Sequence, residues 1–152
     1  MFVRDIMNQC AVVCTEDMSL EKVYNLMQEN NCDHVIVVES YAHRTPIGII
    51  TEHDICFQVV GRGRNPRSLT AANVMNTNIT RALATLTLAD CILLMQEAEA
   101  KQAFVVDENG TLHGTVTNYD IESTRTKQHI EDLLSRAVSK TRRPAAYANR
   151  IF

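Results

Sequence analysis

Two pairs of hydroxyl and carboxylate side chains have the types and the spacing to recognise a small ligand. Thr51 precedes Asp54 by three residues, and Thr117 precedes Asp120 by the same interval. A carboxylate can accept hydrogen bonds from two neighbouring hydroxyls of a sugar, whereas a threonine hydroxyl and the N–H groups that follow it can meet a phosphate. Threonine and aspartate also favour helix N-termini, so simple capping of a helix is the alternative interpretation of each pair.

The two pairs lie in the two copies of an internal repeat. The matched segments are 5–8 with 73–76 (DIMN, NVMN), 26–29 with 94–97 (both LMQE) and 48–55 with 114–121 (GIITEHDI, GTVTNYDI). The offset is 68 residues for the first two matches and 66 for the third, because the first copy has two additional residues near 42–46. An offset held over this length indicates duplication of one structural unit.

Each copy predicts the same order of elements, β-α-β-β-α. A short first strand is expected at 11–14 and again at 79–82. Ser19 and Thr87 are expected N-caps of the helices that follow, each of which has apolar residues at i, i+3, i+4 and i+7. These stripes are Leu20, Val23, Tyr24 and Met27 in the first copy and Leu88, Cys91, Ile92 and Met95 in the second. A hairpin of two strands and a second helix complete each copy.

Two segments lie outside the repeats. Residues 61–66 (GRGRNP) predict a linker, because glycine and proline interrupt regular structure. Residues 128–140 predict an amphipathic helix. Its apolar stripe is Ile130, Leu133, Leu134, Ala137 and Val138. Residues 127–152 carry six Lys/Arg against two Asp/Glu, whereas residues 1–126 carry nine against sixteen. This basic end is expected to cover its own module or a dimer mate, or else to dock a regulated partner.

The repeated motifs resemble those of the cystathionine-β-synthase (CBS) domain family, in which two tandem copies form a Bateman module. The resemblance covers about residues 1–125. It rests on the twin Gly-h-h-Thr-x-x-Asp-h stretches (h, hydrophobic), the openings similar to Asp-Ile-Met and the Val-Val-acidic strand ends. It implies an α/β fold in which two β-α-β-β-α repeats pack through their sheets with pseudo-twofold symmetry. It also implies two ligand clefts and a homodimer formed through helices.

The resemblance implies AMP, ADP or ATP as a regulatory ligand, with S-adenosylmethionine or NAD as alternatives. The aspartates would then hold the ribose, and the threonines would lie near the ribose and the first phosphate. An apolar slot for the base would involve residues of the first and second strands of each copy. These candidates are Val12, Val13, Val35, Ile79, Thr80 and Ala103.

The positions that would bind outer phosphates differ between the two copies. Where relatives carry a basic His-Arg pair, this chain has Asp33 and His34 in the first copy and Lys101 and Gln102 in the second. Because Asp33 would repel a polyphosphate, the Asp54 and Asp120 sites are expected to differ in ligand preference. Arg81 is a further candidate phosphate partner, and a solvated surface arginine is the alternative interpretation.

Composition and charge argue against several other functions. The net charge of −3 and the four Phe, four Tyr and no Trp argue against nucleic-acid binding. The five cysteines form no paired framework and indicate reduced thiols, as in the cytoplasm. No segment is typical of a signal peptide or a membrane span. The histidines form no metal-binding pattern, and no nucleophile–base pair or glycine-rich phosphate loop indicates an enzyme.

The leading hypothesis is therefore a regulatory sensor that binds an adenosine ligand and transmits its occupancy to a partner, without catalysis. The alternative is a structural dimerisation module with unoccupied clefts. The expected boundaries are 1–65 for the first repeat, 66–126 for the second and 127–152 for the basic helix and tail.

Overall fold

The computed structural model describes residues 1–140, which contain two three-stranded sheets and helices packed on them. The first copy comprises β1 (Val13–Thr15), α1 (Leu20–Glu29), β2 (His34–Val38), β3 (Pro46–Thr51) and α2 (Glu52–Cys56), with a π-helical turn at Phe57–Gly61. The second comprises α3 (Ala71–Val74), β4 (Arg81–Leu83), α4 (Leu88–Glu97), β5 (Gln102–Val106), β6 (Leu112–Thr117) and α5 (Asn118–Lys140). Short 3-10 turns lie at Val3–Asp5 and Pro66–Ser68. The expected order β-α-β-β-α is confirmed in both copies.

The two sheets have the same topology. In each, the first strand runs parallel to the second, and the second runs antiparallel to the third. Strands β1 and β4 begin two residues later than expected, because the residues before them form tight turns. The amide of Ala11 donates to the carbonyl of Gln9, and the amide of Ile79 donates to that of Thr77, at 3.0 Å in both cases.

The expected N-caps of α1 and α4 are confirmed. The hydroxyl of Ser19 accepts a hydrogen bond from the amide of Lys22 at 3.3 Å, and that of Thr87 accepts one from the amide of Asp90 at 3.2 Å. Three residues of each apolar stripe are buried: Leu20, Val23 and Met27 in α1, and Leu88, Cys91 and Met95 in α4. Tyr24, which the pattern placed on the stripe, is 47% exposed.

The core has two layers because alternate residues of a strand point to opposite faces of a sheet. In β2, Val35 and Val37 join a cluster with buried residues of α1. Ile36 and Val38 face the other way and pack with Phe104 and Leu112 of the second copy. The two sheets therefore meet face to face, as a pseudo-twofold pair. Burial of an aromatic side chain such as Phe104 contributes about 1.5–3 kcal/mol to this contact.

The opening segment of each copy packs on the opposite copy. Near the N-terminus, the amide of Val3 donates to Leu86 O at 2.9 Å, and Asn8 exchanges two backbone hydrogen bonds with Thr115. In the second opening, Asn76 makes the equivalent pair of bonds with Ile49, at 2.9 and 3.0 Å. This exchange ties the two copies together through backbone as well as through the sheets.

The close approach of these segments explains the glycine of each repeated motif. A Cβ atom at Gly114 would lie 2.6 Å from the carbonyl oxygen of Asn8, and one at Gly48 would lie 2.9 Å from Met75 Sδ. Real Cβ atoms do not come this close to backbone, so a side chain at Gly114 would push the opening segment away. At Gly48 the end of Met75 could move, but Asn76 O at 3.1 Å would still have to shift by a few tenths of an ångström. The glycines therefore serve the packing of the two copies.

Within the described residues, 119–140 belong to a second compact unit. The sequence predicts one helix after β6 and a separate helix at 128–140, whereas α5 is a single helix from Asn118 to Lys140. No glycine or proline occurs within it, so nothing in the backbone ends the first helix before the second begins. Within residues 1–140, no helix combines the length and the hydropathy that crossing a bilayer requires.

Candidate functional site

A cavity of about 270 Å³ lies between the first and second copies and is lined by both. The first copy contributes Ile49, Thr51 and Asp54. The second contributes Asn76, Asn78, Ile79, Thr80, Ala100, Lys101, Gln102 and Phe104. The structure thus places Thr51 and Asp54 of one copy opposite the Lys101–Gln102 pair of the other, a combination that the sequence left open.

Thr51 and Asp54 cap the N-terminus of α2. The amide of Asp54 donates to Thr51 Oγ1 at 3.2 Å, and both the amide and the hydroxyl of Thr51 donate to Asp54 Oδ2 at 2.9 Å. These reciprocal bonds form a capping box, which satisfies amides that the helix itself cannot. The capping interpretation of this pair is therefore confirmed.

Capping leaves part of Asp54 available. Both hydrogen bonds of its carboxylate within residues 1–140 go to Oδ2, so Oδ1 has no partner there. The residue is only half-buried and lines the cavity. A carboxylate has about four acceptor sites, so Oδ1 can accept hydrogen bonds from two hydroxyl groups while Oδ2 keeps the cap.

Lys101 brings positive charge to the same cavity. The turn that precedes it contains Glu99 in the left-handed region, with φ of 51°, and the carbonyl of Lys101 accepts a hydrogen bond from the amide of Asn118 at 3.0 Å. The backbone of Lys101 is thus held between α4 and β5. Its side chain is exposed and makes no ion pair within the described residues, so its ammonium group is available to an anion.

The apolar part of the cavity comes from Ile49, Ile79 and Phe104. Ile79 and Thr80, the first-strand candidates for the base, both line the cavity, and their contact with a base stays a prediction. The second-strand candidates lie differently, because Val35 and Ala103 are fully buried and Val35 belongs to the cluster around α1. The next residue along each strand, Ile36 or Phe104, faces the other copy instead.

The remaining first-copy candidates lie outside this cavity. Val13 is half-buried and packs against the cluster between the two sheets. His34 pairs with Thr51 in the ladder of β2 and β3, and its Nδ1 bonds to Asp33 Oδ1 at 2.8 Å. This hydrogen bond lowers the pKa of Asp33, more than the small effect of burial raises it. The charge of Asp33 is therefore balanced by His34 when the imidazole is protonated.

Arg81 has a structural partner. One terminal nitrogen of its guanidinium donates to the carbonyl oxygen of Pro46 at 2.8 Å, across 35 residues of sequence. This bond links β4 of the second copy to β3 of the first. Arg81 is exposed, in keeping with the surface-arginine alternative, and it does not line the cavity among the described residues; its role as a phosphate partner stays a prediction.

The second hydroxyl–carboxylate pair occupies the equivalent place in the second copy. Thr117 is the last residue of β6, and Asp120 lies in the first turn of α5. Thr117 pairs with Gln102 in the ladder of β5 and β6, as Thr51 pairs with His34 in the first copy.

Sequence reasoning missed several residues of the cavity. Asn76, Asn78 and Phe104 line it but were not candidates. For Asn76 a signal was available, because the repeated openings both end in asparagine. Phe104 carried no such signal, since its apolar strand reads as core on both faces. Among the described residues, no group of three or more His, Cys, Asp or Glu side chains could hold a metal ion.

Comparison with known proteins agrees with this architecture. The family model for the CBS domain matches residues 3–61 and 71–124. An uncharacterized protein of Methanopyrus kandleri is 33% identical over 95 residues, which cover 62% of this chain and 47% of that protein. The match thus spans about half the length of that relative. The CBS domain-containing protein YhcV of Bacillus subtilis is 23% identical over 107 residues, covering 70% of this chain and 74% of that protein.

Solved structures show the same fold. The CBS domain pair of protein MJ0100, crystallised with 5′-methylthioadenosine and S-adenosyl-L-methionine, superposes with a TM-score of 0.69 at 21% identity. The alignment covers 84% of this chain and 98% of that one. An acetoin utilization protein (AcuB) from Vibrio cholerae superposes with a TM-score of 0.68 at 20% identity, covering 95% of this chain and 98% of its own.

Proposed function

The chain belongs to the CBS domain family as a tandem pair, and we propose that it is a regulatory module that binds an adenosine-containing ligand in the cavity around Asp54. One observation carries this proposal. Asp54, whose Oδ1 has no partner within residues 1–140, lines one cavity with Thr51, Lys101, Ile79 and Phe104. A nucleoside needs these chemical groups in combination, namely a diol acceptor, a phosphate partner and an apolar surface for the base.

AMP, ADP and ATP are the ligands proposed first, with S-adenosylmethionine and NAD as the alternatives. A similar fold, the CBS domain pair of protein MJ0100, has been crystallised with 5′-methylthioadenosine and S-adenosyl-L-methionine, which supports the adenosine class. The Thr117–Asp120 pair is proposed to serve a second ligand in the same way, with its own preference.

Regulation would act through the two copies. Because the cavity has walls from both, a ligand that fills it would favour one relative arrangement of the copies over others. It would shift that equilibrium only by its difference in affinity for the two arrangements. We propose that this shift is read by a protein partner or by the second subunit of a homodimer, and that the basic segment 127–152 contributes to docking.

Catalysis is not part of the proposal. The hydroxyl of Thr51 does donate to the Asp54 carboxylate in the lining, but this hydrogen bond belongs to the capping box of α2, and we assign it to the helix terminus. The five cysteines are free thiols, which suits the cytoplasm proposed as the compartment. The proposed boundaries are 1–65 and 66–126 for the repeats and 127–152 for the segment beyond them.

A purely structural module is the second candidate. The observation that favours it is the exposed apolar stripe of α5, where Ile130, Leu133 and Leu134 are 49%, 50% and 60% exposed. Helices with such a stripe commonly associate through it. On this alternative the chain dimerises or docks through α5, and the cavity at Asp54 has no ligand.

Thermal denaturation in the presence of AMP, ADP, ATP, S-adenosylmethionine or NAD at millimolar concentration separates the two candidates. A ligand that binds the native state must raise the melting temperature, by mass action. An increase with at least one of these compounds supports the sensor. No increase with any of them, for folded protein, contradicts it.

Deletion of residues 127–152 tests the role of the C-terminal segment. If the shortened chain keeps ligand binding but loses self-association in analytical ultracentrifugation, the segment is the interaction element. If self-association is unchanged, the proposal that residues 127–152 contribute to the dimer is wrong.

A further inference from the structure

We propose that the cavity at Asp54 selects an adenosine ligand that carries a single phosphate, and that Lys101 is the residue that determines this selection. The inference rests on the proposed function and narrows it from an adenosine class to a nucleoside 5′-monophosphate. It depends on the charges that the structure brings together, which the sequence alone did not pair.

Asp54 and Lys101 are the only charged side chains among the described residues that line the cavity. The carboxylate of Asp54 already accepts two hydrogen bonds from Thr51, and its free oxygen suits the ribose diol rather than a phosphate. One cation therefore remains for the rest of the ligand. A single phosphate matches that cation, and the lining amides of Asn76 and Asn78 can donate further hydrogen bonds to it.

A second or third phosphate would have no further cation in the cavity lining to pair with. Its negative charge would have to leave the cavity, where two acidic residues lie close to the lining along the chain and where the neighbouring cation, Arg81 after Thr80, already donates to Pro46 O. Glu52 follows Thr51 directly, Glu99 lies two residues before Lys101, and both are exposed. Additional phosphates are thus expected to add no affinity, because Arg81 is already hydrogen-bonded to a backbone carbonyl and the exposed carboxylates repel them.

The sulfonium ligand should also be disfavoured. S-adenosylmethionine carries its positive sulfur at the 5′ position, where a nucleotide has its phosphate. In this cavity the cation Lys101 serves that end of the ligand, and two like charges in one cavity repel. The same cavity with an acidic residue in place of Lys101 would not disfavour S-adenosylmethionine in this way.

The first copy shows that the charge at this position is not a constant feature of the repeat. Asp33 occupies the position in the first copy that Lys101 occupies in the second, at the offset of 68 residues. Substitution of Lys101 by aspartate therefore reproduces a side chain that this chain already has at the equivalent turn. Lys101→Gln removes the charge alone, and Lys22→Gln on the exposed surface of α1 is the matched control.

The test is isothermal titration calorimetry in EDTA with adenosine, AMP, ADP, ATP and S-adenosylmethionine. For the parent chain and for Lys22→Gln, we expect AMP to bind about fivefold tighter than adenosine, the size of one exposed ion pair. ADP and ATP should bind no tighter than AMP, and S-adenosylmethionine should bind more weakly. Lys101→Gln should make the Kd values of AMP and adenosine equal without changing that of adenosine, and Lys101→Asp should reverse their order.

Two outcomes overturn the inference while leaving the proposed function intact: equal binding of adenosine and AMP by the parent chain, or tighter binding of ADP or ATP than of AMP. An unchanged preference for AMP in Lys101→Gln overturns the role of Lys101. If none of the five compounds binds the folded parent chain, the inference is wrong, and the proposed function is wrong as well when NAD also fails to bind.

Discussion

Asp54 Oδ2 accepts hydrogen bonds from both the amide and the hydroxyl of Thr51, at 2.9 Å each. The two interpretations of this pair, a helix cap and a ligand site, are therefore compatible. One carboxylate oxygen caps the helix, and the other can accept hydrogen bonds from a ligand. The cap fixes the orientation of the carboxylate, and Oδ1 of this cavity-lining residue has no partner within residues 1–140. A preorganised acceptor of this kind loses little entropy when a ligand binds.

Substitutions of Asp54 should separate the cap from the ligand site. Asp54→Ala should lower the free energy of unfolding by about 1 kcal/mol, because it removes the capping box. Asp54→Asn should keep most of that stability, since Thr70 and Asn73 already form the same box in this chain, with distances of 2.8 and 3.0 Å. Both variants should bind AMP more weakly than the parent chain does. Urea denaturation and calorimetry give the two quantities.

Asp90→Asn is the control, because Asp90 lies three residues after Thr87, the cap residue of α4, and does not line the cavity. If Asp54→Asn binds AMP as well as the parent chain does, the carboxylate is a cap alone.

Gly114→Ala should destabilise the pairing of the two copies. The added Cβ would lie 2.6 Å from the backbone oxygen of Asn8, which cannot move without breaking its bonds to Thr115. We expect a loss of about 1–3 kcal/mol, typical of overpacking. Gly61→Ala is the matched control, since its nearest neighbour, Phe57 Cδ2, is 3.7 Å away. Equal melting temperatures of the two variants would contradict the explanation given for the repeated glycines.

Arg81→Ala should lower stability but not ligand affinity. The variant loses the hydrogen bond to Pro46 O, and a charged donor in such a bond contributes about 1 kcal/mol or somewhat more. Because Arg81 does not line the cavity among the described residues, the Kd for AMP should stay within twofold of the parent value. A large increase in that Kd, with the fold intact, would restore the phosphate-partner interpretation.

The hairpin between β5 and β6 should lose stability in acid. The hydrogen bond from His113 Nε2, together with that from the amide of Thr111, holds the pKa of Asp107 below its usual value of 3.8. A carboxyl group with a depressed pKa in the folded state stabilises the fold above its unfolded pKa. That contribution is lost as the pH falls through the folded value.

Melting temperatures measured between pH 6 and pH 2.5 should therefore fall more steeply below about pH 4 for the parent chain than for Asp107→Asn. Asp107→Asn is already deprived of the charge, so its lower melting temperature should depend less on pH. Parallel curves for the two proteins would show that the depressed pKa of Asp107 has no consequence for stability.

Thiol reactivity should follow burial. Burial, with a smaller contribution from the charge of Asp17, raises the pKa of Cys14 to about 11, and burial also raises the pKa of Cys91. Because the thiolate is the reactive form, brief iodoacetamide treatment at pH 8 should label the exposed Cys10 and Cys56 and leave these two unmodified. Peptide mass spectrometry gives the sites, and labelling in urea is the control. Rapid native labelling of Cys14 would contradict its buried position.

Local patterns in the sequence were sufficient for the repeat, the element order and the caps. A serine before an apolar stripe predicts an N-terminus wherever it occurs, and Ser19 and Thr87 both cap as expected. Local rules did not predict that one helix continues without interruption after β6. The unbroken α5 shows this, since two amphipathic segments without glycine or proline between them joined into one helix.

The sequence predicted some residues of the candidate site but not which residues of the two copies share it. Thr51 and Asp54 are recognisable because their chemistry depends on a spacing of three residues within one segment. Their pairing with Lys101, and the position of Phe104 rather than Ala103 toward the cavity, depend on which faces of the two sheets meet. A fully apolar strand has the same composition on both faces, so its sequence does not indicate which face is toward the other copy.

The sequence by itself determined that two copies of one α/β unit exist, where their helices begin, and that each carries a hydroxyl and a carboxylate at a helix start. Only the tertiary structure decided that the opening segment of each copy packs on the other, that Gly48 and Gly114 are needed for that contact, and that Asp54 shares its cavity with Lys101. The reason is physical. Caps and stripes follow from contacts between near neighbours in the chain, whereas the cavity follows from contacts between residues about fifty positions apart, which no local pattern records.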